Sequence, residues 1–207
     1  MMAERQETAA LGRESAAAYP MVHPRPGLHA PGKLRELLEL VLTIAAIFVL
    51  VELAIPRFMV DGHSMEPNFH DADRLIVSRI NYLFGAPQRG DIVVFNSPQN
   101  PQGEPLIKRV IGLPGETVEI SDAIVHIDGV ALDEPYIAEP CRPASCADGV
   151  WHLGPNQYFV MGDNRNHSND SRRFGPVKLS AIIGEALIRY WPPSDWGSVT
   201  KINFPSP

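Results

Sequence analysis

The sequence has no excess of positive charge. Lys and Arg together number 18 against 24 Asp and Glu, which gives a formal net charge of -6 at pH 7. Nucleic-acid-binding proteins usually concentrate Lys and Arg on one face. The composition therefore gives no reason to expect a polyanionic partner, and we interpret the chain as one that does not bind nucleic acid.

Cysteine is also scarce, because the chain contains only Cys141 and Cys146. There is no second cysteine pair and no His at zinc-finger spacing, so we predict no metal site and no cofactor. The two residues either close a small loop as a disulfide or remain free thiols. An oxidising compartment favours the disulfide.

Long apolar runs are absent except for one, at residues 37–55, which ends at Pro56. Its length is close to that needed to cross a bilayer core as a helix. Glu39 and Glu52 are unfavourable in lipid, but they lie near its two ends. A retained anchor, a cleaved signal sequence and a buried globular helix all fit the run. We favour the anchor, because no small-x-small cleavage site follows directly.

The chain length predicts one globular unit with appendages. We predict a flexible tail at residues 1–32, where no apolar period is sustained, a transmembrane anchor at 33–56 and a globular domain at 57–207. Lys33 and Arg35 precede the apolar run 37–55, and Arg57 follows it, which favours a cytoplasmic N-terminus modestly under the positive-inside rule.

The globular domain is predicted to be mainly β. Its prolines and glycines, among the 20 Pro and 16 Gly of the chain, interrupt short apolar runs and disfavour a helical bundle. Asp128-Gly129 predicts a tight hairpin. Residues 181–190 fit a strand or a helix. The other predicted strands are 74–78, 91–95, 107–111, 117–120, 123–127, 130–132 and 158–161.

Ser64 lies in a tight bend between Gly62 and Pro67. A serine is a poor nucleophile until a base within hydrogen-bond reach removes its proton. A bend of this kind exposes a hydroxyl and the neighbouring backbone N–H groups. A serine that merely caps a turn explains the same pattern.

Lys108 and Arg109 are adjacent cations in a predicted strand. Strand alternation places Lys108 on the face of Leu106 and Val110, and Arg109 on the opposite face. We therefore expect one of the two cations to point into apolar surroundings. Burial lowers the pKa of a lysine, and a pKa of about 8 would leave roughly a tenth of it neutral at pH 7. Alternatively, both side chains extend to water.

Four sequence segments together resemble the type I signal peptidases. They are G-x-S-M-x-P at 62–67, R-G-D-I-V-V-F at 89–95, K-R-V-I-G-L-P-G at 108–115 and G-D-N-R-x-x-S-x-D-S-R-x-F-G-P-V at 162–177. They occur in the order of that family, after an N-terminal anchor. The resemblance covers about residues 33–193.

The resemblance implies a signal-peptidase/LexA-like complex β fold of coiled antiparallel sheets, preceded by one transmembrane helix. It also implies a membrane-bound serine endopeptidase that removes signal peptides from secretory preproteins after small-x-small motifs. Such enzymes work without a cofactor. We expect a single-pass monomer in the bilayer of the cell membrane, with the catalytic domain outside the cytoplasm.

The resemblance also implies residue roles. Ser64 matches the nucleophile and Lys108 the general base of a Ser-Lys dyad. Residues predicted to support the site are Ser168, which would hold the lysine amine, the ion pair Asp170 and Arg172, and the loop residues Asp163, Asn164 and Arg165. Residues predicted to contact the extended substrate, bound as an added strand, are Gly62, His63, Met65, Leu106 and Ile107.

Gly62 departs from part of the family, in which a serine at this position donates its hydroxyl to the oxyanion hole. The backbone N–H of Ser64 is then the main expected donor.

Two other functions share some of these features. A self-cleaving repressor has the same Ser-Lys chemistry, but such proteins are soluble and cut a resident Ala-Gly bond, and this chain has no Ala-Gly dipeptide. A catalytically silent membrane-anchored binding module is disfavoured by the intact Ser64, Lys108 and Ser168.

Overall fold

The structure is a computed structural model that describes residues 32–202 and residue 204. The predicted tail, apart from Gly32, lies outside these residues. The chain divides into two compact units between Thr43 and Ile44. The domain boundaries expected from the sequence remain predictions.

The first described element is the helix α1, Lys33–Ala54. Its mean hydropathy of 2.5 and its 22 residues suffice to cross a membrane, and no other helix in the described part of the chain is long and apolar enough to do so. No residue of α1 is buried. Of its three carboxylates, Glu36 lies in the first turn, and the other two have arginine partners, with Arg35 beside Glu39 and Arg57 beside Glu52. These ion pairs lessen the penalty for placing the two carboxylates near lipid.

Short strands are the main regular elements after α1, together with two one-turn helices, α2 (Asn81–Phe84) and α3 (Ser171–Phe174). The strands are β1 (Arg57–Met59), β2 (Arg74–Ser78), β3 (Ile92–Phe95), β4 (Leu106–Gly112), β5 (Thr117–Ser121), β6 (Ile124–Ile127), β7 (Val130–Ala131), β8 (Gly149–His152), β9 (Gln157–Met161), β10 (Val177–Lys178), β11 (Ile182–Trp191) and β12 (Gly197–Ser198).

The strands form two antiparallel sheets. The larger sheet has the order β1-β2-β11-β3-β4-β9-β10, with β12 paired to β11, and the smaller has the order β7-β6-β5-β8. The predicted fold class, mainly β behind one N-terminal apolar helix, is confirmed. The predicted hairpin at Asp128-Gly129 joins β6 to β7.

Residues 182–191, which the sequence left open between helix and strand, are a strand. β11 pairs with β2 on one edge and with β3 on the other. Hydrogen bonds to two neighbours far away in sequence decide this state, which local propensity does not determine.

β4 carries side chains into both faces of the larger sheet. Ile107 belongs to an apolar cluster with Val60 and Met65, on the side of the turn that follows β1. Val110 lies in a cluster on the other face. This alternation agrees with the pattern predicted for Lys108 and its neighbours.

The structure buries both adjacent cations of β4, whereas the sequence led us to expect one. Lys108 is 3% exposed and Arg109 is 2% exposed. Burial of Arg109 is possible because Asp163, which is distant in sequence, accepts two hydrogen bonds from its guanidinium group.

Candidate active site

Ser64 lies in the turn that follows β1. The side chain of the next residue, Met65, is completely buried in the core and anchors the turn there. Gly62 has a φ of 83°, a region that favours glycine, and its N–H donates to Asp71 Oδ1 at 2.8 Å. Ser64 itself remains half-buried.

Lys108 meets Ser64 from β4. Its Nζ lies 2.7 Å from Ser64 Oγ and 2.7 Å from the carbonyl oxygen of Ile107. Burial lowers the pKa of Lys108 from 10.5 to about 8, although the charges of Asp170 and Asp163 act in the opposite direction. A lysine in this state supplies a neutral amine near neutral pH.

Asp163 ties the turn that carries Ser64 to β4. Its carboxylate accepts from Arg109 Nε at 2.8 Å and from Arg109 Nη2 at 2.7 Å. It also accepts from Asn68 Nδ2 at 2.8 Å. No role for Asn68 was predicted from the sequence, because the carboxylate that its side chain contacts lies 95 residues further along the chain.

Asn164, the next residue, contacts the turn that carries Ser64 twice. Its backbone N–H donates to the carbonyl oxygen of Ser64 at 3.1 Å. Its side-chain Nδ2 donates to the carbonyl oxygen of His63 at 3.0 Å. Two successive carbonyl groups of the turn are therefore held by one residue.

Arg165 points away from Ser64 and is buried. Its guanidinium group pairs with Glu134, at 2.6 Å for Nη1, and contacts the Tyr136 hydroxyl at 3.1 Å. Tyr136 also lies under the guanidinium group of Arg109, 4.3 Å from ring centroid to Cζ. Glu134 and Tyr136 were not predicted from the sequence, since no motif marks them.

Asp170 and Arg172 form the ion pair predicted from the sequence, with Oδ2 2.6 Å from Nη2. Burial disfavours the charge on Asp170, but the hydrogen bond and charge of Arg172, together with the Gly162 N–H, hold its pKa below the usual value. The Gly162 N–H donates to Asp170 Oδ2 at 3.0 Å, which fixes the backbone at Gly162.

The disulfide candidate is a closed disulfide in the structure, between Cys141 and Cys146. Arg172 Nη1 donates to Cys146 Sγ at 3.0 Å and to the carbonyl oxygen of Arg165 at 2.8 Å. The disulfide loop thus packs against the loop that carries Asp163 and Asn164.

Ser168 is close to the site but is not bonded to the lysine. Its Oγ is buried and has no hydrogen-bond partner among the described residues. A Cβ added to Gly162 would collide with Ser168 Oγ and with the carbonyl oxygen of Ser64. Glycine is therefore required at 162 to let these two elements approach.

The residues predicted to contact substrate differ in accessibility. The side chains of Met65 and Ile107 lie in the core, whereas Gly62 and Leu106 are half-buried. His63 is exposed, and its Nδ1 lies 2.8 Å from Glu66 Oε1. This hydrogen bond raises the pKa of His63.

Comparison with known proteins assigns the chain to a family. The family model described as signal peptidase, peptidase S26, matches residues 34–191. A probable signal peptidase I of Synechocystis is 42% identical over 81% of this chain and 86% of its own length. The signal peptidase I of Leptolyngbya laminosa is 38% identical over 91% of this chain and 97% of its own length.

A crystal structure of a signal peptidase I from Enterococcus faecalis is also similar, with 41% identity and a TM-score of 0.43 over 48% of this chain and 95% of that one. The family model and the two relatives define the chain as a serine endopeptidase, as the sequence predicted. It belongs to the signal peptidase family, peptidase S26. The resemblance identified from the four sequence segments is confirmed.

Proposed function

We propose that the chain removes signal peptides from secretory preproteins by a Ser-Lys dyad mechanism, cutting after small-x-small motifs. The observation that carries the proposal is the 2.7 Å separation between Lys108 Nζ and Ser64 Oγ, with the lysine buried. Lysine serves as a base only when it is neutral, and the lowered pKa of Lys108 meets that condition.

The reaction is an acyl transfer. Neutral Lys108 accepts the Ser64 proton as Ser64 Oγ attacks the peptide carbonyl carbon. The resulting ammonium group returns a proton to the departing amine when the C–N bond breaks, and an activated water then releases the acyl-enzyme. The backbone N–H of Ser64 stabilises the oxyanion.

The other predicted residues support this reaction from outside the dyad. Ser168 is proposed to steady the lysine amine during catalysis, and the Asp170–Arg172 pair to fix Gly162 behind it. Gly62, His63, Leu106 and the backbones of Met65 and Ile107 are proposed to receive the small side chains of the substrate strand. A substrate that pairs as an added strand contacts the backbone of this chain. Met65 and Ile107 can therefore belong to the set although their side chains are buried.

We propose further that α1 anchors the chain in the cell membrane, with the N-terminus in the cytoplasm and the catalytic domain, at about residues 57–207, outside. The enzyme would act as a monomer at the lipid surface. Of the apolar residues that follow α1, Met59 is 58% exposed, whereas Val60 is buried. Met59 is thus better placed than Val60 to touch lipid.

The test is preprotein processing by the purified full chain in detergent. Ser64→Ala and Lys108→Ala should each abolish cleavage, while the exposed residues Ser180 and Lys178 supply matched controls, Ser180→Ala and Lys178→Ala, that should cleave normally. Substrates with Leu in place of either small residue of the motif should resist cleavage. Full processing by either dyad variant would overturn the assigned roles.

A further inference from the structure

The peptide between His63 and Ser64 has a fixed direction. A trans peptide is planar, so its C=O and N–H point to opposite sides. The His63 carbonyl accepts hydrogen bonds from Asn164 Nδ2 at 3.0 Å and, within the turn, from the Glu66 backbone N–H at 3.3 Å. The Ser64 N–H therefore points away from Asn164.

The next peptide is held in the same way. The Ser64 carbonyl accepts from the Asn164 backbone N–H at 3.1 Å, so the Met65 N–H also points away from Asn164. Within the described part of the chain, neither the Ser64 N–H nor the Met65 N–H donates to a backbone carbonyl. Two successive N–H groups with one orientation form a concavity that suits an anion.

The backbone N–H groups are needed because Gly62 has no side-chain hydroxyl that could donate a hydrogen bond to an oxyanion. Its own N–H is already used by Asp71 Oδ1. Backbone donors must then be well oriented before the reaction, since preorganised donors stabilise the transition state without reorganisation. A hydrogen bond to a carbonyl also polarises its peptide and strengthens the N–H as a donor.

We propose that Asn164 is the positioning residue of the oxyanion hole: it orients and polarises the two peptides whose N–H groups, those of Ser64 and Met65, receive the oxyanion. The inference rests on the proposed function, with Ser64 as nucleophile. Asn164 does not touch the reacting atoms and acts through the backbone of the turn.

The position of Asn164 is itself well supported. Asp163, directly before it, is buried and holds Arg109 and Asn68. Gly162, before that, is fixed by Asp170 and lies against the Ser64 carbonyl. The two residues before Asn164 are therefore fixed by hydrogen bonds, which holds the Asn164 side chain against the turn, as a positioning role requires.

A peptide aldehyde that carries the small-x-small motif tests the proposal. Ser64 Oγ adds to the aldehyde carbon, the hydroxyl proton passes to Lys108, and the aldehyde oxygen becomes an oxyanion analogous to that of the reaction. The corresponding peptide alcohol has the same side chains but no aldehyde group for Ser64 to attack, so it measures ground-state binding alone.

The experiment uses the full chain in detergent, with Asn164→Ala and the closely isosteric Asn164→Asp. Each should lower kcat on a short peptide and raise the Ki of the aldehyde by a similar factor, on the order of tenfold. The Ki of the alcohol should stay unchanged in both variants. The pH midpoint of the reaction should stay unchanged in Asn164→Ala, whereas the new carboxylate of Asn164→Asp can raise the pKa of Lys108 by its charge alone. Asn166→Ala, in the same loop, is the matched control and should leave the ratio of the two Ki values unchanged.

Three results would overturn the proposal: unchanged kcat and aldehyde Ki, equal weakening of aldehyde and alcohol in a folded variant, or a shifted pH midpoint in Asn164→Ala, which would mean that Asn164 acts through Lys108. A variant that fails to fold is identified by its circular dichroism spectrum, and the other variant then decides. Aldehyde binding to Ser64→Ala that is as tight as to the wild type, measured directly as a Kd, would instead refute the proposed function, so the two failures are distinguishable.

Discussion

At the scale of single residues, the chemistry of this protein depends on the surroundings of one lysine. Lys108 is 44 residues from Ser64 in sequence, yet their functional atoms lie 2.7 Å apart. The same strand carries Arg109, whose buried guanidinium group pairs with Asp163 at 2.7 Å. Both neighbouring side chains are buried, but Lys108 has no carboxylate within hydrogen-bond reach among the described residues, and desolvation lowers its pKa.

The lowered pKa of Lys108 predicts the pH dependence of the reaction. Only the neutral amine accepts the Ser64 proton, and its fraction rises as the pH increases through about 8. We expect kcat/KM on a short peptide to rise about tenfold per pH unit below 8 and to level off above it. A profile that is flat between pH 6 and 9 would contradict the assignment of Lys108 as the base.

Gly162 predicts a second residue-scale effect. In Gly162→Ala the new methyl group would collide with Ser168 Oγ and the Ser64 carbonyl oxygen. The turn must shift, and a displacement of about 1 Å lowers kcat by about a hundredfold. The effect is measured as kcat on a short peptide.

Gly197→Ala serves as the matched control, because nothing lies within 4 Å of its added Cβ. Equal activity of the two variants would show that the close approach at Gly162 is not needed for catalysis.

At the scale of elements, α1 and the strands of the larger sheet are stabilised in different ways. The apolar side chains of α1 are exposed on all sides of the helix, a distribution that is stable in lipid and unfavourable in water. β11, in contrast, obtains its stability from pairing with β2 and β3. The sequence identified α1 by its composition, but it left β11 undecided.

The membrane role of α1 predicts the effect of a charge at its centre. Ile44→Arg should cost about 3 kcal/mol of insertion free energy, because the guanidinium group is placed deep in the hydrocarbon layer. Leu34→Arg, at the start of the helix, should insert normally. The fraction of full chain that resists alkaline extraction from membranes measures both, and equal retention of the two variants would argue against a spanning helix.

At the scale of the whole molecule, burial of Lys108 reduces the free energy of unfolding. Folding takes the Lys108 ammonium group out of water, so its pKa is 10.5 unfolded and about 8 folded. The folded state therefore binds this proton more weakly than the unfolded state does. The resulting penalty is complete below pH 8, decreases between 8 and 10.5, and is absent above that range.

Lys108→Met should remove this penalty together with the activity. We expect its free energy of unfolding to exceed that of the wild type by up to about 3 kcal/mol at pH 7, and the gain to disappear as the pH approaches 10.5. Urea unfolding of the full chain in detergent at the two pH values measures it. The exposed Lys178→Met should show no such pH-dependent difference. A gain that persists at pH 10.5 would contradict desolvation of the ammonium group as its cause.

The sequence by itself determined the types of group present: one apolar helix, a β-rich domain, and Ser64 and Lys108 in segments of a known order. Local spacing and composition suffice for the helix and the β-rich domain, because these depend on residues close together in the chain, whereas Ser64 and Lys108 were identified by the resemblance of the four segments to a known family. The sequence did not disclose Asn68, Glu134 or Tyr136, whose partners are distant in sequence.

Only the tertiary structure decided which groups meet and which lose water. The pKa of Lys108 depends on desolvation by strands and turns that are distant in sequence, and the direction of the Ser64 N–H depends on Asn164, 100 residues further along the chain. Distance and burial are properties of the packed chain, so the local sequence does not fix them.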